Sequence, residues 1–359
     1  PVELPESGIL GFSPLMFWFV ILMAYAAVAS ILPVNILLQP RDYLSTYILF
    51  GSMTLAVLAL LWVQPELHTP AYRGGFSEEQ GPVWPMLFVL VACGAVSGFH
   101  SLVAGGTTSK QLSVESQGRP IAYGGMLTEG AVAVVTVLLV SGGLYWVAPA
   151  SGDIDMNKFG FRETLQSGGW ILAYGHGFGN LVHQMLPFIT FTFASMIAVL
   201  ALNTFVLTTL DSAVRITRFI LQESIGEKIV FFKNKYICTF LVVLFSYLIG
   251  STGGWQKIWP IFGATNQLIA AVALFVISTW LMARGKPTKF ALYPAIFMVV
   301  TTIGALAWQS YRFYTQPEPN IFLGTAAVFL IFLALFVGYE GMTTLRGRKE
   351  KLMTASARL

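Results

Sequence analysis

Charged residues are scarce in this sequence: Asp, Glu, Lys and Arg supply 11% of its 359 residues, whereas hydrophobic residues supply 55%. Soluble domains carry about 25% charged residues, which cover the water-facing surface. The shortage argues against a long soluble enzyme, a disordered chain and a nucleic-acid-binding protein. Together with a mean hydropathy of +0.70, it predicts an integral membrane protein that has the lipid bilayer as its main partner.

Groups that bind metals or act as nucleophiles are also few. The two cysteines, Cys93 and Cys238, lie in apolar runs, and the four histidines are dispersed. Neither a disulfide framework nor a Cys- or His-based metal centre is indicated. The sequence contains no GxxxxGK(S/T), no HExxH and no clear GxSxG motif. We therefore expect no bound cofactor, no ATP-driven motor and no enzymatic activity.

Long apolar runs are the main positive feature. A helix needs about 20 mostly apolar residues to cross a bilayer, and nine runs meet this length or come close to it. The alternation typical of barrel strands is missing, so we expect helices. The sixth run is short and is expected to extend by a few residues at each end. The nine predicted spans are Leu15–Leu38, Leu44–Pro65, Trp84–Leu102, Ile121–Val147, Pro187–Leu210, Tyr236–Gly250, Ile258–Met282, Phe290–Trp308 and Ile321–Tyr339.

Basic residues divide unevenly between the two sides of this topology. With the N-terminus outside, 16 of the 21 Lys and Arg residues fall inside and 5 fall outside. The positive-inside rule asks for this bias, so we predict an N-out, C-in orientation. The outer segment 149–184 is expected to cap the outside through an interfacial or re-entrant helix. The basic tail, 346–359, is expected at the cytoplasmic face.

The third span is interrupted by glycines. It reads VACGAVSGFHSLVAGGTTSK over residues 91–110. Glycine permits an unwound backbone, which a membrane tolerates only beside a cavity or inside protein. Freed amides and carbonyls there can bind a substrate carboxylate or a cation; close helix packing is the alternative. The predicted substrate-binding residues of this span are Ser97, Gly98, His100, Ser101, Gly105, Gly106, Thr107 and Thr108.

One acidic residue lies inside a predicted span. Glu129, in the fourth span, could approach the middle of the bilayer, where a carboxylate must be neutral or paired. We take Glu129 and His100 as candidates for proton-linked coupling. The alternative is that Glu129 only locks two helices together through a hydrogen bond.

The inner end of the fifth span carries hydroxyls and charges. Thr208, Thr209 and Asp211 could bind a sodium ion, and Asp211 could instead take up a proton. Asp211 and Arg215 share one helix face at a spacing of i, i+4. The alternatives are a solvated Asp211–Arg215 pair at the cytoplasmic boundary and threonine hydroxyls that bond back to helix carbonyls.

The seventh span contains two adjacent amides. Asn266 and Gln267, in the string WPIFGATNQLIA, need hydrogen-bond partners in lipid. They either hold helices together or line a pathway as substrate-binding residues, and the sequence leaves both alternatives open.

Five strings together resemble the carbon starvation protein A family. They are QPRDYLST from Gln39, ACGAVSGFHSLVAGGTTSKQL from Ala92, AYGGMLTEG from Ala122, LTTLDSAVRITRF from Leu207 and WPIFGATNQLIA from Trp259. They occur in this order, and SGFHSLVAGGTTSK is long enough to be specific. The family is normally longer, with several N-terminal spans that have no counterpart here. The chain therefore resembles the C-terminal portion of such a protein.

The resemblance implies an architecture. The family is grouped with the amino acid–polyamine–cation superfamily, so we expect an all-α membrane protein that includes the second repeat of a leucine-transporter-type core. Residues 1–83 are then two helices and an outer loop, 84–282 the core with its broken third span, and 283–345 two peripheral helices. The outer segment caps this core, and the fifth span supplies hydroxyls to a sodium site.

The resemblance also implies a function. It points to a secondary active transporter of the cell inner membrane that takes up peptides or pyruvate-like carboxylates by alternating access. The driving ion is a proton or sodium, and the missing N-terminal portion would be a partner. The alternative is a membrane sensor or a non-transporting subunit that binds the same kind of small ligand.

Overall fold

Helices make up almost all of the regular structure. The computed structural model describes residues 13–67, 69–70, 72, 74–77, 81–146, 160–252 and 254–356. A short antiparallel ribbon joins β1 (Phe76–Ser77) to β2 (Gly81–Pro82), and 3-10 helices lie at Thr108–Gln111, Glu115–Gln117 and Val230–Lys233. The α-helices are α1 (Pro14–Ile31), α2 (Leu38–Val63), α3 (Val83–Ala95), α4 (Gly98–Gly106), α5 (Gly118–Gly143), α6 (Phe161–Met185), α7 (Phe191–Ser224), α8 (Lys235–Ser251), α9 (Gly254–Ala283), α10 (Lys289–Thr315) and α11 (Ile321–Ser356).

Seven helical segments in the described part of the chain are long and apolar enough to cross a membrane. They identify an all-α, multi-pass membrane protein, as the composition predicts. The remaining two of the nine predicted spans are shorter: the third is divided between α3 and α4, and the sixth is α8. The seven segments are Pro14–Ile31, Leu38–Val63, Glu115–Gly143, Phe191–Ser224, Ile261–Ala283, Lys289–Thr315 and Ile321–Gly347.

The first and sixth predicted spans have different boundaries from those that hydropathy indicates. The first ends at Ile31 because Leu32, which precedes Pro33, takes extended backbone angles, as residues before proline usually do. The sixth span, Lys235–Ser251, extends the predicted run by one residue at each end, fewer than the few residues expected. It begins at Lys235, where the side chain of Asn234 accepts a hydrogen bond from the Tyr236 amide at 2.9 Å.

The outer segment contains the helix that its second half predicts. This helix, α6, bends at Gly169, whose φ of 67° and ψ of −164° are accessible to glycine alone. Residues 149–159 of the predicted cap lie outside the described residues. The basic tail continues α11 as a helix as far as Ser356. The orientation across the membrane stays a prediction.

Packing divides the chain into two units that alternate along the sequence. The first unit comprises residues 1–73 and 112–247, and the second comprises 74–111 and 248–359. The division into 1–83, 84–282 and 283–345 concerns function and stays a prediction. Within the second unit, α10, from the segment predicted as peripheral, has one of the more buried spans.

The core of the first unit is built on close helix contacts. A Cβ atom on Gly143 of α5 would overlap the backbone of Gly177 on α6, so these helices approach to backbone contact only because both positions are glycine. The Asn180 side chain donates to the Gly143 carbonyl at 2.9 Å across this contact. Around it lie the buried residues Ala56, Ala59, Leu139, Tyr174, Phe178, Leu181, Val182, Ala194 and Ala198.

The core of the second unit joins α3, α9, α10 and α11. It contains two apolar clusters, which place α9 and α10 against α11 and bring α3 against α9 and α10. One cluster is Met86, Val89, Ile261, Ala264, Ala305, Leu306, Phe313, Leu323 and Ala327. The other is Ala271, Phe275, Ala295, Val299 and Leu345.

Candidate functional site

The helix break lies within the glycine-containing third span. Helix α3 ends at Ala95 and α4 begins at Gly98, with Ser97 in an extended conformation (φ −98°, ψ 124°). The Ser97 hydroxyl accepts a hydrogen bond from the His100 amide at 3.2 Å, which caps the N-terminus of α4. The break therefore presents the positive end of a short helix dipole inside the second unit.

Asn266 of α9 occupies this helix N-terminus. Its Oδ1 atom accepts hydrogen bonds from the Phe99 amide at 2.7 Å and from the Ser97 hydroxyl at 3.2 Å. The side chain is buried, and its Nδ2 atom has no hydrogen-bond partner among the described residues. A Cβ atom on Gly98 would overlap the backbone carbonyl of Asn266. Glycine at 98 thus lets the break rest directly on α9.

This arrangement is a neutral analogue of an anion site. The Phe99 amide and the Ser97 hydroxyl both donate to the uncharged Oδ1 atom of Asn266. The helix dipole would favour a carboxylate oxygen at the same position. The structure brings Asn266 against Ser97 and Gly98, which are far from it in sequence.

The other predicted residues of the broken span have varied surroundings. His100 is exposed, and its ring meets that of Phe99 edge to face at 5.7 Å. The Ser101 hydroxyl donates to the Gly98 carbonyl at 2.6 Å. Thr107 is buried with a hydroxyl that has no partner among the described residues. Gly105 and Thr108 are exposed and Gly106 is half-buried.

Gln267 faces away from the break. It is fully buried, and its Nε2 atom lies 3.0 Å from the sulfur of Met298 on α10. Its Oε1 atom has no partner in the described part of the chain. Gln267 therefore joins two helices, while Asn266 holds the break. The neighbouring helix α10 also carries Thr301 and Thr302, buried hydroxyls that the sequence interpretation missed.

The second polar site is a buried charge cluster in the first unit. Asp211 of α7 is fully buried, and its Oδ2 atom forms an ion pair with Nη1 of Arg41. The Tyr25 hydroxyl donates to the same oxygen at 3.0 Å, and Nη1 of Arg41 also donates to the Tyr25 hydroxyl at 2.7 Å. We call Tyr25, Arg41 and Asp211 the α1–α2–α7 charge cluster. The Oδ1 atom of Asp211 has no hydrogen-bond partner among the described residues.

Arg215 has a different role from the predicted one. The expected alternative of a solvated Asp211–Arg215 pair is wrong, since both residues are buried and Asp211 pairs with Arg41. Arg215 donates from Nη2 to the carbonyls of Ala29 and Leu32, at 2.5 and 2.7 Å. Pro33 has no N–H to satisfy the Ala29 carbonyl at the end of α1. Arg215 supplies the missing donor.

Tyr25 and Arg41 are the members of this cluster that sequence interpretation missed. In the sequence, Arg41 contributes only to the positive-inside bias and to the string QPRDYLST. One signal for it exists: Arg41 lies near the N-terminus of α2, where the helix dipole disfavours a cation. A cation near a helix N-terminus therefore indicates that a carboxylate lies close enough to compensate its charge. Nothing in the local sequence identifies Asp211 as that carboxylate.

The predicted sodium and coupling residues also lie in the first unit. The Thr208 hydroxyl bonds back to the Phe205 carbonyl at 2.7 Å, the alternative that the sequence left open. Thr209 is half-buried. Glu129 is exposed on α5 and forms no hydrogen bond or ion pair with the described residues. The predicted substrate residues, at 97–108 and 266–267, belong to the second unit.

Related sequences decide which family this chain represents. A family model described as carbon starvation protein CstA matches residues 7–155 and 155–305. The chain belongs to this family. The resemblance carried by the five strings is thereby confirmed, and the helix break and the Asp211 cluster lie in matched regions of a CstA-family protein.

Several relatives of the chain are named as transporters. The peptide transporter CstA of Campylobacter jejuni is 31% identical over 333 residues, which cover 79% of this chain and 47% of that protein. The pyruvate/proton symporter BtsT of Escherichia coli is 30% identical over 377 residues, covering 85% and 52% respectively. The peptide transporter CstA of Escherichia coli is 32% identical over 343 residues, covering 80% and 48%. The chain spans about half the length of these relatives. No solved structure matches it significantly.

Proposed function

We propose that the protein containing this chain is a secondary active transporter of the cell inner membrane. It takes up peptides or pyruvate-like carboxylates by alternating access, and a proton gradient drives it. The names of the relatives support both the substrate class and, through one of them, the proton. The observation that carries the proposal is the helix break, where an uncharged oxygen of Asn266 meets the N-terminus of α4.

The break would form one wall of the substrate site. A substrate carboxylate placed at the Phe99 amide and the Ser97 hydroxyl would take the hydrogen bonds that Asn266 now accepts. The displaced Asn266 amide could then donate its unpartnered Nδ2 hydrogens to the same carboxylate. Asn266 thus occupies the carboxylate position while the site is empty and contacts the carboxylate once the substrate has bound.

The fold proposal is a leucine-transporter-type core. In it, α3 and α4 are the broken helix of the second repeat, α6 is its outer cap, and α7 is the helix with hydroxyls near its inner end. We propose that segments present in the longer relatives complete the substrate cavity. The coupling candidates remain Glu129, His100 and Asp211.

A proton is favoured over sodium because of the charge already present at Asp211. A sodium site needs oxygen ligands with negative charge to spare, and the guanidinium of Arg41 already balances the carboxylate of Asp211. The Thr208 hydroxyl is also engaged with a helix carbonyl. These contacts support proton coupling without a bound metal ion.

Uptake into proteoliposomes tests the proposal. The complete protein, supplied separately with inward proton and sodium gradients, is expected to accumulate labelled pyruvate or a dipeptide under the proton gradient. Failure to accumulate either compound under both gradients would contradict it. Binding of pyruvate or the dipeptide without any uptake would favour the alternative, a membrane sensor or a non-transporting subunit.

A variant of Asn266 tests the site. Asn266→Leu is expected to lower pyruvate or dipeptide uptake by on the order of tenfold, because it removes the Nδ2 donor proposed to bind the substrate carboxylate. Thr265→Ala is the matched control, since its hydroxyl only bonds back to the Ile261 carbonyl at 3.0 Å. Equal uptake by both variants would separate Asn266 from the substrate.

A further inference from the structure

We propose that Arg218, in the last two turns of α7, binds the phosphate group of an anionic membrane lipid. The site goes beyond the proposed function and does not depend on it, because it concerns a lipid bound to the first unit and not the transported compound. The residues that carry the inference all belong to the first unit, where α7 ends and α8 begins.

Arg218 is a buried cation without a counter-ion among the described residues. It is only 5% exposed. Its Nε atom is enclosed without a hydrogen-bond partner, whereas its terminal nitrogens are not fully enclosed. The guanidinium lies over the ring of the neighbouring Phe219, 4.5 Å from the ring centroid, and forms no ion pair or hydrogen bond within the described part of the chain. Because an unpaired buried charge is costly, this position favours an anion from outside that part.

The charged groups nearest to Arg218 on α7 do not supply this anion. Arg215, one turn earlier, is also buried and donates to backbone carbonyls at the end of α1. Asp211, the buried carboxylate of the same helix, is paired with Arg41. Two buried guanidinium groups of α7 are therefore left without a carboxylate partner among the described residues.

Arg218 faces the first turn of α8. Val214 of α7 and Val242 of α8 belong to one apolar cluster. One turn closer to the connection between these helices, Arg218 lies within electrostatic range of Cys238. The Cys238 amide donates to the Asn234 carbonyl at 3.1 Å and so belongs to the first turn of α8. The partial positive charge of this helix N-terminus adds to the charge of Arg218, and an anion between them would be attracted by both.

Arg218 also lies beyond the part of α7 that is predicted to cross the hydrocarbon. The helix is 34 residues long, whereas about 20 residues cross a bilayer. The predicted span ends at Leu210, and Arg218 follows about 12 Å further along the helix. Because side chains of a helix lean toward its N-terminus, the Arg218 side chain leans back toward the membrane. This places its guanidinium near the lipid headgroups.

The connection between α7 and α8 favours a lipid phosphate over a soluble anion. It reads EKIVFFKNK over residues 227–235, and the apolar residues 229–231 are 50%, 77% and 57% exposed. Exposed lysines flank them on both sides. Exposed apolar side chains beside lysines are typical of a segment that lies in the interface of an anionic membrane. Gln222 of α7 donates to the Lys233 carbonyl at 2.9 Å, which ties this segment to the helix that carries Arg218.

The guanidinium group suits a phosphate chemically. Its planar fork can donate two parallel hydrogen bonds to two phosphate oxygens. The phosphodiester of phosphatidylglycerol has a net negative charge, whereas the choline group of phosphatidylcholine cancels the charge of its phosphate. A site with an unbalanced positive charge is therefore expected to prefer phosphatidylglycerol.

Thermal unfolding of the complete protein tests the site. The protein is purified, delipidated in detergent and unfolded with phosphatidylglycerol, phosphatidylcholine or inorganic phosphate added. Phosphatidylglycerol is expected to raise the melting temperature of the wild type by a few degrees, and the other two additives are not. Arg218→Gln is expected to melt no lower than the wild type without lipid, because it removes an unpaired charge, and to lose the response to phosphatidylglycerol. Its retention of phosphatidylglycerol in native mass spectrometry is expected to fall on the order of tenfold.

Two further variants serve as controls. Arg119→Gln removes one positive charge at an exposed position on the same predicted side of the membrane and is expected to keep the response of the wild type. Arg218→Lys keeps the charge but loses the planar fork, and an intermediate response is expected. The lysine variant and the comparison of additives on the wild type decide the question even if Arg218→Gln does not fold.

Three outcomes would overturn the inference. An equal stabilisation by inorganic phosphate would assign the site to a soluble anion. An undiminished response of Arg218→Gln to phosphatidylglycerol would place the lipid elsewhere. A delipidated Arg218→Gln that melts well below the delipidated wild type would indicate that a carboxylate of the complete protein is the counter-ion. None of these outcomes bears on the transporter proposal, which the uptake of pyruvate or a dipeptide tests separately.

Discussion

The helix break at Ser97 and the charge cluster at Asp211 bury polar groups in different ways. At the break, a backbone amide and a hydroxyl meet an amide oxygen, and every member is neutral. In the cluster, a fully buried carboxylate meets a guanidinium. Neutral hydrogen bonds replace those to water at little net cost, whereas buried ions lose hydration that pairing only partly restores. The hydrogen bonds of the break therefore cost less to bury than the ion pair of the cluster.

The largest expected effect comes from breaking the ion pair on one side only. Asp211→Ala leaves the half-buried Arg41 guanidinium with only the exposed Asp42 as its counter-ion and is expected to cost about 3 kcal/mol of stability, the low end for removing one partner of a buried ion pair. The double variant Arg41→Gln/Asp211→Asn is expected to regain most of this loss. Thermal unfolding of the detergent-purified complete protein measures both. A double variant that is as unstable as Asp211→Ala would show that the two charges are not each other's partners.

The contact between the break and α9 comes next. Gly98→Val places two methyl groups against the backbone of Asn266 and is expected to cost about 1–3 kcal/mol through overpacking. Gly105→Val is the matched control, because nothing lies within 4 Å of a Cβ atom there. Similar melting temperatures for the two variants would mean that α4 does not rest on α9.

The cap of the broken helix is expected to have a smaller effect. Ser97→Ala removes the oxygen that accepts from the His100 amide and the hydroxyl that donates to Asn266. A lost N-cap costs about 1 kcal/mol. The same melting experiment measures it, and Ser97→Thr, which keeps a hydroxyl that can both accept and donate, is expected to retain the stability of the wild type. If Ser97→Ala melts at the wild-type temperature, capping by Ser97 does not stabilise the break.

The smallest effect on stability is expected at Thr208. Its hydroxyl bonds to the carbonyl of its own helix, so Thr208→Ala is expected to change stability by less than about 0.5 kcal/mol. Proton-driven pyruvate uptake should also be unchanged. A strong loss of uptake that added sodium restores would instead support the sodium site that the sequence suggested.

Much of the fold could be predicted because hydropathy acts on each segment separately. Apolar runs such as Ile321–Tyr339 must become helices in lipid, whatever they contact. The glycine-containing string around Ser97 predicts a break for the same local reason. Boundaries were less predictable: α1 ends early at Pro33, and α8 begins where Asn234 caps it. Such helix ends depend on single residues, and a hydropathy average over many residues does not detect them.

The candidate sites were predictable only in part. The pattern Asn266–Gln267 marks two polar groups that need partners, but it does not say that the first meets the break and the second meets Met298. The i, i+4 rule pairs Asp211 with Arg215, and the structure does not. Arg215 instead donates a hydrogen bond to the Ala29 carbonyl, for which Pro33 has no N–H.

The sequence by itself determined the class of this protein: an all-α, multi-pass membrane protein of the carbon starvation family, with a broken helix at a recognisable string. These properties follow from composition and from the order of neighbouring residues, both of which can be read directly from the amino-acid sequence. Only the tertiary structure decided which charges neutralise one another. Arg41 and Asp211 come from helices that are far apart in the chain. Once both side chains are removed from water, each charge needs an opposite charge nearby, and the fold decides which residue that is.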